Sequence, residues 1–347
     1  MLHPVATSDF QYTDNVLGQG HSNQKKDELW STSSGFEFNY KPTRTFDMSA
    51  SYRFGWNEYL DNNARDYLTH EASLNLAWHD IFTRGLEIDL GANYNQTGNT
   101  GVLEQEFLAF TRIQTMQINP SLTYRRSKLT VSASYYYDRY DYFGRTTSQG
   151  DLETHGALFL ASYNLSDFLT PYFLYSFAAS HYFHEERQNF DTHELKGGLK
   201  INYGKFAFNL ELGNEHSIRL KPYDSDDGNI YGLRLDYKHN EHFRAHILAR
   251  RDFEVGILTG GGTYSTLEVG CTAQVLPRFE TEARFSAIYN SLNSGAHEMT
   301  KQFNTRFTYQ ILRNLKGYAE YNRDMRTSVG GPNIDINTAR LGMTFRW

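Results

Sequence analysis

From Phe46 to Asn57 apolar and polar side chains alternate without a slip. Phe46, Met48, Ala50, Tyr52, Phe54 and Trp56 fall on one parity; Asp47, Ser49, Ser51, Arg53, Gly55 and Asn57 fall on the other. A period of two is the signature of an extended strand with one apolar and one polar face. The pattern recurs along the chain. Leu68, Ala72, Leu74, Leu76 and Trp78 oppose Thr69, Glu71, Ser73 and Asn75, and Leu86, Ile88, Leu90 and Ala92 oppose Glu87, Asp89 and Gly91. Leu129, Val131, Ala133, Leu267, Val269, Cys271, Phe303 and Phe307 belong to further copies, and the chain ends on Leu341, Met343, Phe345 and Trp347 against Arg340, Gly342, Thr344 and Arg346.

Tight turns are expected near 41–44, 79–83, 125–128, 165–169, 203–205, 239–242, 276–278 and 313–314, with a longer polar loop on either side of each. Short and long connections taking turns is the repeat of an up-and-down barrel, at about 38 residues per hairpin. Eight turns and nine loops separate eighteen strands. The expectation is an all-β protein: a transmembrane antiparallel up-and-down barrel of about 18 strands filling 1–347 as a single domain. Short periplasmic turns, longer extracellular loops and both termini on the periplasmic side go with it.

A soluble sandwich also alternates, so the distribution of side-chain types decides. Tyr is 25 and Phe is 24 in 347 residues. Tyr40, Phe46, Trp78, Phe82, Tyr124, Tyr203, Phe206, Tyr237, Phe243, Phe279 and Tyr309 flank tight turns; Trp30, Trp56, Tyr59, Tyr67, Tyr94, Phe253, Tyr264 and Tyr289 lie near loop ends. Rings with an apolar body and a polar edge suit the headgroup level, which predicts two aromatic girdles. The polar parity carries charge at mid-strand (Arg53, Glu71, Asp89, Arg244, Arg284, Arg306), and charge there requires a wet interior. No apolar run is long enough for a membrane-spanning helix. One cysteine, Cys271 on the apolar parity, excludes an intrachain disulfide framework, and the net charge of −6 gives no footprint for nucleic acid.

The N-terminus, Met-Leu-His-Pro-Val-Ala-Thr-Ser, lacks the basic and apolar regions of a signal peptide, so the sequence is expected to start near a mature N-terminus. Phe345 and Trp347 resemble the C-terminal signal that the outer-membrane barrel assembly machinery reads. The first strand holds Phe10-Gln11-Tyr12-Thr13-Asp14-Asn15-Val16, followed by a polar loop, Phe36-Glu37-Phe38-Asn39-Tyr40 and the next strand. This resembles the β-barrel porin family of the second type, outer-membrane barrels that often accompany exopolysaccharide export. The resemblance implies a channel, a polysaccharide cargo and a periplasmic polysaccharide export protein as partner. It supplies no catalytic residues.

The polar parity, taken as a lumenal surface, is acidic early (Glu37, Asp47, Glu71, Glu87, Asp89) and rich in arginine late (Arg234, Arg244, Arg250, Arg284, Arg306, Arg340), with Glu282 among the interleaved acids. The candidate channel-lining residues are Arg53, Glu71, Asp89, Arg234, Arg244, Arg250, Glu282, Arg284, Arg306 and Arg340. Opposed arcs of unlike charge make a transverse field that orients polar solutes. From Ala157 to Ala179 both parities are apolar, which reads as a packed cluster in the wall, as a slide lining the lumen whose aromatics stack on sugar rings, or as a plugged sector. Pro120 removes a ladder donor and marks a bulge or an edge.

Other chemistry finds little footing. The 13 histidines are scattered, with no HExxH pattern, and the paired turn histidines His239 and His242 make a weak metal site at best. Asp224, Asp226, Asp227 and Gly228 are a fragment of a calcium loop without its remaining ligands. The expectation is therefore a channel with no enzymatic activity, cofactor or metal, embedded among outer-membrane lipid and lipopolysaccharide. Polysaccharide export is the first reading; a general diffusion porin for small hydrophilic solutes is the alternative.

Overall fold

The computed structural model describes residues 2–15, 25–61, 66–99, 111–143, 151–183, 189–219, 226–256, 260–292, 297–328 and 333–347. Eighteen strands follow one another: β1 Leu2–Thr13, β2 Asp27–Tyr40, β3 Phe46–Tyr59, β4 Tyr67–His79, β5 Leu86–Asn99, β6 Thr111–Arg126, β7 Leu129–Phe143, β8 Leu152–Tyr163 and β9 Leu169–Tyr182. Then come β10 Phe190–Tyr203, β11 Phe206–Arg219, β12 Asp226–Lys238, β13 Phe243–Gly256, β14 Gly260–Leu276, β15 Phe279–Leu292, β16 His297–Leu312, β17 Leu315–Ser328 and β18 Ile334–Arg346. Each strand pairs antiparallel with its sequence neighbour, and β1 pairs with β18, so the sheet closes into the expected barrel. Among the described residues there is no helix.

Closure fixes the size of the bore. Followed along the hydrogen-bonded register, the ladder comes back to β1 about 22 residues from where it left. With eighteen strands this stagger sets a tilt of about 40° and a backbone diameter of roughly 35 Å.

The tight turns show how the hairpins hold register. Ser127–Lys128 and Gly204–Lys205 are two-residue connections whose first residue has positive φ, 54° and 58°. That backbone matches the twist of the flanking strands, and register is kept to the last pair. Pro277–Arg278 and Arg313–Asn314 lack a positive φ among their residues, and there the ladder shifts by one, at Gln274/Leu276 and Gln310/Leu312. At Pro120 the expected bulge is absent. The β6–β7 ladder passes over Asn119 and Pro120 and resumes at Ser121–Ser134 in the same register, so the ladder loses two pairs without a register shift.

The two faces separate by parity. Tyr52, Phe54, Trp56, Leu122, Phe173, Leu210, Leu233, Val269, Phe285, Phe303 and Leu341 are exposed and make the outer surface apolar. Cys271 lies in this row, between Val269 and Ala273. The opposite parity is the concave side, where side chains crowd, and it holds the buried polar residues Asp9, Thr13, Asp27, Asn57 and Ser217. Of the expected girdles, Tyr40, Tyr203, Phe206 and Tyr309 at the turn end and Trp30, Trp56 and Tyr289 at the loop end are exposed. Tyr59 and Tyr67 are not part of a girdle. They are buried, and Tyr59 and Tyr67 pack with Leu29 at the loop-end mouth of the bore. Proximity to a loop does not choose a face; parity does, and these two tyrosines share the parity of Asn57 and Thr69.

Candidate functional site: the lumenal wall

All ten residues expected in the lumen, Arg53, Glu71, Asp89, Arg234, Arg244, Arg250, Glu282, Arg284, Arg306 and Arg340, lie on the concave parity. Several are brought together as pairs. Arg53 Nη1 lies 3.6 Å from Glu71 Oε2 across the β3–β4 ladder. Arg234 Nε donates to Asp236 at 2.8 Å, and Arg250 Nε to Asp252 at 2.6 Å, each two residues along its own strand. Arg306 lies 3.8 Å from Glu320, with its guanidinium 4.3 Å from the centre of the Tyr318 ring. Arg340 Nε donates to Asp9 at 2.8 Å across the seam that closes the barrel. Asp89 accepts from the Ser121 hydroxyl at 3.4 Å and has no cationic partner among the described residues. Nor, among those residues, does an ion pair engage Arg244, Arg284 or Glu282.

The register organises these charges into a stripe. Arg244 is level with Thr272, Thr272 with Glu282, Glu282 with Arg306, Arg306 with Glu320 and Glu320 with Arg340. Hydrogen-bonded rows run perpendicular to tilted strands, so the stripe climbs from the turn end on β13 to mid-height on β18. Across the bore, nine strands away from β13, Glu71 on β4 belongs to the acidic arc with Glu37, Asp47, Glu87 and Asp89. At the foot of the stripe is a recess of about 540 Å³, walled by Arg234, Asp236, Lys238, Arg244 and His246.

Two large lumenal side chains lie along the wall instead of projecting into the bore. Tyr136 lies flat over Gly156 and Tyr172 over Gly198, each glycine directly across the ladder; a Cβ at either position would fall inside the ring above it. Tyr172 is anchored further: its hydroxyl donates to Glu211 at 2.7 Å and lies 3.0 Å from Asn209 Oδ1, while Lys200 sits 5.1 Å from its ring centre. This Tyr172–Glu211–Asn209 group escaped sequence reasoning. The available signal was a tyrosine on the polar parity facing a glycine.

The irregular stretch from Ala157 to Ala179 divides between the two faces. Phe159, Phe173 and Tyr175 are exposed on the outer face, and Phe177 shares their parity. Leu158, Leu160 and Leu174 fall on the lumenal parity, Leu160 level with Leu174. The aromatics therefore meet the outer surroundings, and the lumenal patch is aliphatic.

The turn histidines go to separate partners: His239 Nδ1 lies 2.9 Å from the Tyr237 hydroxyl, and His242 Nδ1 lies 2.8 Å from Gln274 Oε1. Asp224 falls outside the described residues; Asp227 pairs with His216. Val16 of the first-strand element also lies outside them. Asp14 and Asn15 tie β1 to β18. Asp14 accepts from the Asn337 backbone N–H at 2.8 Å and from its Nδ2 at 2.7 Å, and Asn15 Nδ2 donates to the Asp335 carbonyl at 3.3 Å. At the far end of the seam the Trp347 N–H donates to the Pro4 carbonyl at 3.0 Å, and the Phe345 and Trp347 rings meet edge to face at 4.7 Å.

No family model matches the sequence, and no curated protein is similar to it in sequence. Solved structures do match in fold. OccK5 (OpdH) of Pseudomonas aeruginosa is 13% identical, with a TM-score of 0.56 over 100% of this chain and 98% of that one. The outer membrane protein opdK of the same organism is 10% identical at a TM-score of 0.56, over 100% and 99%. OccK2 (OpdF) of Pseudomonas aeruginosa, solved in complex with glucuronate, is 10% identical at a TM-score of 0.56, over 99% and 97%. At these identities the likeness is one of fold.

Proposed function

We propose that the chain is a passive channel for small hydrophilic solutes in a bacterial outer membrane, with its turn end and both termini facing the periplasm. The observation that carries the reading is the bore: a closed eighteen-stranded wall, charged over most of its arc, with Tyr136 and Tyr172 folded against the wall. An exposed apolar outer face and end-girdles of aromatics support the membrane placement. The likeness in fold to structures of outer-membrane proteins, one of them with a bound sugar acid, supports the small-solute reading. Unpaired Arg244 and Arg284 on one wall, facing an arc whose acids other than Asp89 are paired with cations, favour solutes that carry an acid at one end and hydroxyls at the other. Phe345 and Trp347 serve the assembly machinery in this reading.

Exopolysaccharide export, with a periplasmic export protein as partner, stands behind this reading. Its support is the short Asp14-Asn15-Val16 element, and Asp14 and Asn15 have a seam-closing use that any barrel could share. Planar-bilayer conductance and liposome swelling separate the two. A steady ohmic conductance, with glucose and glucuronate both permeant and no block by a long anionic polysaccharide, is the expected result. A conductance that only the polymer blocks, with both small solutes excluded, would reverse the order.

A further inference from the structure

On the outer face, three histidines sit in the same local arrangement. Tyr52, Tyr135 and Tyr175 are each the seventh residue of an ascending strand, β3, β7 and β9. Two residues higher come Phe54, Tyr137 and Phe177, and directly across the ladder from these stand His70, His155 and His193. Each imidazole is gripped twice. Its Nδ1 lies 2.9, 2.6 and 2.9 Å from the hydroxyl of Tyr52, Tyr135 and Tyr175 respectively. Its ring lies 5.2, 4.9 and 5.0 Å from the ring of Phe54, Tyr137 and Phe177.

This geometry has a chemical consequence. A phenol O–H that donates to Nδ1 places the imidazole proton on Nε2, and Nε2 keeps a proton when the ring is charged as well. With the phenol as the donor, each unit offers an N–H from the outer surface. In hydrocarbon an unmet donor is costly, so the units belong where polar acceptors begin. Their height agrees. Eight to ten residues up a strand tilted by about 40° is roughly 20–25 Å above the turn-end girdle, the height of an apolar band. Cations join them at this level: Lys301 and Arg251 are on the outer parity, and so are Arg139, paired with Asp141, and Arg323, paired with Asp335. His193 is level with His216, whose partner is Asp227.

We infer that His70, His155 and His193 form a belt that binds phosphate groups of the lipid in the outer leaflet, with their Nε2 protons as donors and the neighbouring tyrosines as positioning groups. Phosphate is the acceptor that fits because the belt combines neutral donors with cations at one height. The inference rests on the membrane placement proposed above, but its test uses no permeation, so a channel that fails to conduct would leave it standing.

The test titrates the refolded full chain, in micelles of a neutral detergent, with bisphosphorylated lipid A and separately with lipid A stripped of phosphate, and reads bound lipid by native mass spectrometry. The parent is expected to bind the phosphorylated lipid at least about tenfold more tightly, since a hydrogen bond to a charged group is worth more than a neutral one. The H70Q/H155Q/H193Q variant should lose most of that preference, and Y52F/Y135F/Y175F, which keeps the rings and carries the test if the histidine variant does not fold, should lose part of it. H239Q/H242Q, at the turn end, should keep it. Equal binding of the two lipids by the parent, or a preference retained in both triple variants, would overturn the inference. So would self-association of the parent that displaces lipid and disappears in the histidine variant, because the belt would then be a surface for a second copy.

Discussion

Arg340 and Asp9 join the last strand to the first, and replacing Arg340 with Met should show how much one ion pair contributes to closing the barrel. The Asp9 side chain is only 5% exposed, and its Oδ1 accepts from Arg340 Nε at 2.8 Å. Breaking a buried pair by removing one partner costs about 3–5 kcal/mol, because the remaining charge is left without compensation. Arg340 is itself 37% exposed, so lumenal water can reach the orphaned carboxylate. A cost just below that range, about 2–3 kcal/mol, is therefore expected for Arg340→Met. In urea this lowers the unfolding midpoint by about 1 M, read by gel mobility of the heat-sensitive folded form or by tryptophan fluorescence. Asp9→Asn combined with Arg340→Met removes both charges and should recover all but about 1 kcal/mol. Arg53→Met is the internal contrast: Arg53 and Glu71 are 41% and 54% exposed and 3.6 Å apart, so less than about 1 kcal/mol is expected. The reasoning fails if Arg340→Met stays within about 0.5 kcal/mol of the parent, or if the double variant is no more stable than the single one.

Asp14→Ala removes both acceptors of Asn337 and should lower stability by about 1–2 kcal/mol without changing conductance; a conductance loss with unchanged stability would mean that Asp14 acts on the bore instead. Gly156→Ala puts a Cβ where the Tyr136 ring lies, so the ring must swing off the wall; about 1–3 kcal/mol of destabilisation and a smaller single-channel conductance are expected, and an unchanged conductance would show that Tyr136 does not shape the path. Arg244→Gln, Arg284→Gln and Arg306→Gln together should move the reversal potential in a salt gradient toward cations, and an unmoved potential would remove the late-strand arginines from the permeation path.

The architecture was legible because a barrel leaves its period in every strand. Phe46 to Asn57 states it once, and the turn positions at 127–128, 204–205, 277–278 and 313–314 agree with the sequence pattern. Side-chain parity carries the same information to the wall, so a lumenal surface could be assembled from Arg53, Glu71 or Arg306 without coordinates. Partners could not be. The pairing of Arg340 with Asp9 joins residues at opposite ends of the chain, and only closure makes them neighbours. Nearness to a loop suggests a girdle for Tyr59 and Tyr67, but their parity points inward, where they pack with Leu29. Pro120 looked like a bulge because the sequence shows a missing donor but not whether the ladder can skip a pair. The tyrosine–histidine units were invisible for a similar reason: their members come from adjacent strands, and register, not spacing, brings them together.

The climbing stripe from Arg244 to Arg340 gives the bore a thread, like rifling. Between those residues the row crosses five of the eighteen strand-to-strand steps and gains about 15 Å of height, so it sweeps about a sixth of the circumference. A solute that exchanges one arginine for the next cannot move straight along the axis; it must revolve as it advances. Orientation and progress are then geared to each other, and a molecule too stiff or too long to turn within the bore would lose its grip on the thread before one that can rotate freely.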